Sequence, residues 1–276
     1  MPLSKLTDYC HSKYYRPAKC SSCQNNCKEN CKACLHDMFY DHRERIYNCD
    51  NIIYCYTCRY IYKYSSEIIH VLKTIPLNFW PKIGHLKILS IGCGPCSELF
   101  AFDYFNTKNE NIFNIDYTGY DINTIWKEIN NYTKSLFSFP IKYCYHDVFI
   151  DYSDQTVGKE YPNIVILNYI LSDINFHKKD TKTFLDELNQ KIIINMNQHS
   201  LVFINDINNL AVRNTFIYLA NLVNPNKYLK YYFNGYGSFG NQHNSTDVFY
   251  SIPFPIKRTF GSHNYCSSAQ TLIVKG

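Results

Sequence analysis

The stretch that most constrains this chain is residues 86–98, Leu-Lys-Ile-Leu-Ser-Ile-Gly-Cys-Gly-Pro-Cys-Ser-Glu. A short apolar run (Leu86, Ile88, Leu89, Ile91) breaks at Gly92 and Gly94, and residues 97–104 beyond the break can sustain a helix. Strand, glycine turn and helix in that order place a ligand against backbone N–H groups at a helix N-terminus. Glycine lets the backbone approach that ligand where a Cβ would collide with it.

Two ligand classes use such a unit. A dinucleotide fingerprint, Gly-x-Gly-x-x-Gly, is met only in part, because position 97 is Ser. Residues 88–98, Ile-Leu-Ser-Ile-Gly-Cys-Gly-Pro-Cys-Ser-Glu, resemble the first motif of class I S-adenosylmethionine (SAM)-dependent methyltransferases, with Cys96 where a third glycine would stand. The resemblance covers residues 82–276. It implies an α/β fold: a Rossmann-like seven-stranded sheet with helices on both faces. It also implies that Ser90, Ile91, Gly92 and Gly94 meet the cofactor.

Further landmarks follow in order. The run 112–120 alternates apolar and polar residues and leads into Asp121-Ile122. The resemblance implies that Asp121 takes the ribose hydroxyls, a task for which a carboxylate, accepting two hydrogen bonds from a diol, is suited. Ile122 would lie beside it. Asp121 is equally placed to cap a helix over 123–137. The third strand, 141–145, is followed by His146-Asp147-Val148. There the resemblance implies that Asp147 accepts from the adenine amino group and Val148 packs on the ring; a solvent-facing loop Asp is the alternative. Trp126 reads as core or as a cover for the adenine.

The continuous apolar run 163–169 reads as a central parallel strand buried on both faces. In the family this strand end faces the methyl group, so Asn168 and Tyr169 are the candidate catalytic residues, with Asn168 also touching cofactor. The Asn/Asp-Pro-Pro-aromatic tetrapeptide of amino-group methyltransferases is absent, which argues against adenine-N6 or cytosine-N4 transfer. Tyr-Ile-Leu-Ser-Asp (169–173) is similar to a segment of methyltransferase-like ribosome-assembly factors that carry a cysteine-bound metal cluster. A helix over 181–195, a strand over 200–205 and a helix over 209–222 follow. The alternating segments 247–252 and 270–274 read as the closing antiparallel pair. The glycine-rich loop 235–240 reads as a connection or a lid.

Nine of the thirteen cysteines crowd the N-terminus: Cys10, Cys20, Cys23, Cys27, Cys31, Cys34, Cys49, Cys55 and Cys58. Three C-x-x-C pairs let two thiolates reach one metal, and zinc fixes four such ligands tetrahedrally. A small cysteine-rich zinc-binding head over 1–60 is therefore expected, with an iron–sulfur cluster as the alternative. Cys27, Cys31 and Cys34 match the C-x3-C-x2-C spacing of radical-SAM enzymes, but Ala33 stands where an aromatic residue is usual and the downstream pattern is a different fold. Apolar residues Ile52, Ile53, Tyr56, Tyr60, Tyr64, Ile68, Val71 and Leu72 recur at three and four, as a helix requires. That helix leads through a connecting segment, 61–81, into the SAM-binding domain, 82–276.

With 46% hydrophobic residues the chain is not of a disordered class, and a net charge of +5 is a mild basic excess, compatible with an acidic partner. The first residues lack the apolar run of a signal peptide, and no stretch approaches the roughly 18 apolar residues of a membrane span. A cytoplasmic protein without membrane contact is expected. The expected activity is SAM-dependent methyl transfer, to RNA or protein in preference to a small molecule. The rivals are a catalytically inactive SAM-binding module for RNA, ribosome or protein, and an NAD-dependent oxidoreductase.

Overall fold

The computed structural model describes residues 1–14, 31–40, 47, 49–80, 84–110, 113–153, 160–177, 180–235 and 238–275. Among them eight strands form one mixed sheet in the order β3-β2-β1-β4-β5-β8-β6-β7. The strands are β1 (Leu86–Ile91), β2 (Ile115–Tyr120), β3 (Ile141–Cys144), β4 (Ile164–Asn168), β5 (Leu201–Ile207), β6 (Tyr228–Tyr232), β7 (Asn241–Gln242) and β8 (Ser268–Val274). The first five run parallel, with β1 between β2 and β4, and β8 is antiparallel to both β5 and β6. The order reverses between β1 and β4. At such a switch point the crevice beyond the strand C-termini opens, and ligands of open α/β sheets bind there.

The helices are α1 (Pro2–Lys13), α2 (Cys31–Tyr40), α3 (Asp50–Leu72), α4 (Ser97–Lys108), α5 (Lys127–Lys134), α6 (Val148–Asp151), α7 (Leu171–Phe176), α8 (Thr181–Lys191), α9 (Leu210–Val223) and α10 (Phe254–Phe260). Period-two alternation divides the sheet between two hydrophobic clusters. Ile164 and Ile166 of β4 join the cluster that holds α3 and α4, while Val165 and Leu167 join the one under α8 and α9. Burial on both faces is what the unbroken apolar run of β4 predicts.

Two expectations are corrected. The sheet has eight strands among the described residues, not seven, because the chain after β6 folds back and adds β7 in parallel at the edge. Gly240 permits this, since a Cβ there would stand 2.2 Å from the Lys230 carbonyl oxygen. The second correction concerns the closing pair. Strand β8 pairs with Tyr228–Tyr232, whereas of 247–252 only Asp247 makes a bridge, to Tyr265. The alternation of 247–252 serves helices instead. Phe249 N donates to Ser66 Oγ of α3 (2.9 Å), and Tyr250 OH donates to the Phe100 carbonyl of α4 (2.8 Å). Elsewhere strands and helices lie within a few residues of their expected bounds.

The described part of the N-terminal region shares the core of the sheet. Leu3, Leu6 and Cys10 of α1, Leu35 of α2 and Cys55 and Cys58 of α3 belong to the same hydrophobic cluster as Leu86, Phe100 and Tyr117. Thr7 and Tyr62 hydroxyls, 2.8 Å apart, pin α1 to α3 inside it. Among the described residues no helix is long and apolar enough to cross a membrane.

Candidate functional site

The turn from β1 into α4 needs left-handed backbone at three positions: Gly92 (φ +67°), Gly94 (φ +45°) and Cys96 (φ +60°). At Gly92 a side chain would be strained by the positive φ, and its Cβ, 2.6 Å from Ile170 Cδ1, would also push that side chain aside. The Gly94 N–H donates to Asp121 Oδ2 (2.9 Å), and Asp121 Oδ1 accepts from the Asn123 N–H (2.9 Å). The carboxylate at the end of β2 thus clamps the glycine turn. Burial pushes Asp121 up to about 6, against the pull of the Asn123 and Gly94 N–H groups.

At the end of β3, Asp147 caps the short helix α6, accepting from Phe149 N (2.9 Å), and remains exposed while Val148 is buried. Beside it, Cys144, His146 and Asp151 bring one ligand atom each within 4.8 Å of one another. His146 Nε2 lies 3.1 Å from Asp151 Oδ1, and Tyr120 OH donates to Asp151 Oδ2 (2.5 Å), a hydrogen bond that holds the Asp151 carboxyl below the usual range. These are donor types that zinc accepts. Sequence reading missed the trio because its members fall on a strand end, a loop and a helix.

The end of β4 is built differently. Asn168 is held on both sides of its amide: Nδ2 donates to Ser97 Oγ (2.8 Å) and Oδ1 accepts from Asn205 Nδ2 (2.8 Å). Tyr169 takes φ +57°, a conformation costly for a bulky side chain by about 1–3 kcal/mol. The surroundings over-determine it. Its N–H donates to the Asn205 carbonyl (2.7 Å), its hydroxyl donates to Glu67 Oε2 of α3 (3.0 Å), and its ring stacks on Tyr64 at 4.0 Å. Burial, then Glu67, pushes the Tyr169 phenol well above its ordinary value.

Glu67 is the anchor of this corner. The buried carboxylate accepts from Tyr169 OH (3.0 Å), Asn205 Nδ2 (3.1 Å), Ser267 N (2.9 Å) and Ser268 N (3.2 Å). Asn205 is saturated in turn, its Oδ1 accepting from Ser268 Oγ (2.6 Å) and Gln270 Nε2 (2.9 Å). One turn earlier on α3, Lys63 Nζ lies 3.8 Å from Glu67 Oε1 and 5.3 Å from the centre of the Tyr169 ring.

These groups surround one cavity of about 730 Å³. It gathers Ile91, Gly92, Gly94, Asp121, Ile122, Asp147, Val148, Asn168 and Tyr169, which sequence reading selected, and Trp126. Ser90 is not among the lining residues; it is fully buried beneath them, with its hydroxyl donating to Glu98 Oε1 (2.6 Å). The opposite wall was missed: Tyr56, Tyr60, Lys63 and Tyr64 of α3, with His263. The periodicity of 52–72 predicts a helix that leads from the cysteine-rich head into the domain behind it, and does not say that one of its faces meets a cavity. The signal that could have exposed it is the Lys63/Glu67 pair at i, i+4 on so apolar a helix. Five carboxylates (Asp121, Asp147, Asp173, Asp180, Glu187) line the cavity against one lysine, Lys63.

None of the described N-terminal cysteines lines this cavity. Cys20, Cys23 and Cys27 fall outside the described residues. Cys10, Cys31, Cys49, Cys55 and Cys58 are buried, Cys34 is partly so. The Cys58 thiol faces Cys10 and donates to the Thr7 carbonyl (3.5 Å), and burial pushes Cys55 up to about 12. Among the described residues no three of these cysteines bring their sulfurs within 4.8 Å of one another. The loop 235–240 sends none of its described residues to the cavity. Lys257 and Arg258 stand exposed on α10, also away from it.

No protein-family model matches the chain, and no curated protein matches it. Among solved structures, the chain is similar to the plantazolicin methyltransferase BpumL in complex with SAH, at 12% identity and TM-score 0.43, over 100% of both chains. It is also similar to human methyltransferase-like protein 13 in complex with SAH, at 10% identity and TM-score 0.44, over 78% of this chain and 82% of that one. A third is a putative class I SAM-dependent methyltransferase from Listeria monocytogenes, at 10% identity and TM-score 0.44, over 100% of this chain and 88% of that one. Likenesses of this size carry no argument about activity, which rests on the residues of the cavity.

Proposed function

We propose that this chain is a SAM-dependent methyltransferase whose cofactor lies in the cavity beyond β1, β2, β3 and β4. The observation that carries the reading is the meeting of the glycine turn, Asp121 and Asp147 at the switch point, within a lining of five carboxylates and one lysine. The residues fit the cofactor in kind. Asp121 retains acceptor capacity beyond its two N–H partners and suits a diol. Asp147 and Val148 suit an amino-substituted ring, and Trp126 offers an aromatic face near Gly94. When bound, SAM supplies an electrophilic methyl group on a sulfonium. A cation of that kind is drawn to this lining, whereas the pyrophosphate of a dinucleotide would face the same carboxylates as a like charge. This favours SAM over NAD.

The chain's own contribution is positioning. Asn168 and Tyr169, fixed by Ser97, Asn205 and Glu67, present a rigid edge where the acceptor would be aligned and water excluded. The acceptor is proposed to be a group of an RNA or protein that reaches into the cavity beside α3. We propose a structural zinc for the N-terminal cysteines, supported by the three C-x-x-C pairs. Elemental analysis of purified protein checks it.

The decisive experiment is calorimetry on metal-replete protein with SAM, SAH and NAD in turn. SAM or SAH should bind and NAD should not. Heat from NAD alone, or from none of the three, overturns the reading. Transfer of labelled methyl from SAM to cellular RNA or protein fractions then separates an enzyme from a module that only binds.

A further inference from the structure

We propose that Lys63 is the receptor for a ligand carboxylate in the half of the cavity walled by α3. Its side chain is 10% exposed, and Lys63 lines the cavity. Its nearest charge is the Glu67 carboxylate, 3.8 Å from Nζ and beyond hydrogen-bond range. Glu67 cannot close that gap at no cost. A carboxylate offers about four lone-pair sites, and Tyr169, Asn205, Ser267 and Ser268 occupy four. Among the described residues Nζ makes no hydrogen bond; it rests over the rings of Tyr64 (5.6 Å) and Tyr169 (5.3 Å). A buried ammonium whose three donors lack acceptors is costly to hold, unless the ligand brings the acceptor.

The surroundings choose the class of acceptor. His263 offers a second buried atom without a partner, Nδ1, in the same half. Burial, with Lys63 and Arg59 adding to it, pushes His263 down to about 4, so its ring is neutral at physiological pH. Lys63 is the one lysine or arginine among the described lining residues, and five carboxylates elsewhere repel an anion. An anionic oxygen beside α3 has its favourable place at Lys63, where its hydrogen bonds are charge-assisted. The rings of Tyr56, Tyr60, Tyr64 and Tyr169 around it suit a planar or thioether-bearing neighbour.

That carboxylate has two sources: the methionine end of the cofactor, which rests on the SAM reading above, or the acceptor, which needs only the cavity. The experiment is calorimetry of wild type, K63R and K63M. The probes are SAH, 5′-methylthioadenosine (the same adenosyl thioether without the amino-acid end), benzoate and its neutral isostere benzamide, the last two added with and without saturating SAH. Tenfold or greater weakening of SAH in K63M, with 5′-methylthioadenosine unchanged and K63R intermediate, assigns the carboxylate to the cofactor. The same loss for benzoate in the SAH complex assigns it to the acceptor. Should K63M not fold, wild type alone decides: benzoate no tighter than benzamide, together with SAH no tighter than 5′-methylthioadenosine, overturns the proposal, as does unchanged affinity of both carboxylates in a folded K63M. If neither adenosyl ligand binds while benzoate still depends on Lys63, the cofactor reading fails and the carboxylate receptor stands.

Discussion

The two halves of the cavity are built on different principles. In the half at the ends of β1, β2 and β3 the two cavity-lining carboxylates are held locally, by backbone N–H groups of the turn each belongs to or of the one beside it: Asp121 by Gly94 and Asn123, Asp147 by Phe149. The half between β4 and α3 is made of side chains far apart in the chain, Glu67 meeting Tyr169, Asn205 and Ser268. A local half tolerates a change in one residue at the expense of one contact. A half built as a saturated network loses several contacts at once, because a buried polar group deprived of its partner keeps the full cost of its lost hydration.

Four substitutions or conditions test that contrast, beginning with the largest effect. Glu67→Ala should destabilise by about 3–5 kcal/mol, since it takes the shared acceptor from Tyr169, Asn205 and two backbone N–H groups and the nearest opposite charge from Lys63; chemical denaturation measures it, and a loss under 1 kcal/mol would show that the network is not cooperative. Asp121→Ala should weaken SAH by about 100-fold, the worth of two hydrogen bonds to a charged acceptor, with a smaller change in stability. Calorimetry on that variant breaks the assignment of the ribose to Asp121 if affinity is kept. Gly92→Ala should lower stability by about 1–3 kcal/mol through its positive φ, and weaken SAH as the turn shifts; equal affinity would mean that the turn does not touch the ligand.

The smallest effect concerns pH. An ionised Asp121 accepts from a diol more strongly than its protonated form, and burial pushes its pKa up to about 6. SAH affinity should therefore be full near pH 7.5 and fall several-fold as pH drops through 6 toward 5. The slope should vanish in Asp121→Asn. A slope that persists there would point to Asp206, which burial also pushes up to about 6.

The same contrast decides what could be read beforehand. The place of Gly92, Gly94, Asp121 and Asp147 at the cavity was legible because strand periodicity locates a strand's end, and the crevice lies beyond the ends of parallel strands. Lys63, Glu67 and Asn205 were not. Their meeting depends on α3 lying across the sheet ends beside β8, and a helical period of buried residues does not say which face meets a cavity. Segment 247–252 failed for a related reason: alternation shows that one side of a segment is buried, and here helices α3 and α4, not a strand, bury it. Tyr228–Tyr232, the true partner of β8, hides its role because its residues are only half-buried.

The backbone of Tyr169 sets a limit on how this corner can change. Glycine at that position would relieve the torsion, yet it would remove the ring that Tyr64 lies against and the phenol that Glu67 holds. Tyrosine here holds an awkward joint in return for those two contacts and for the ring it presents to the cavity.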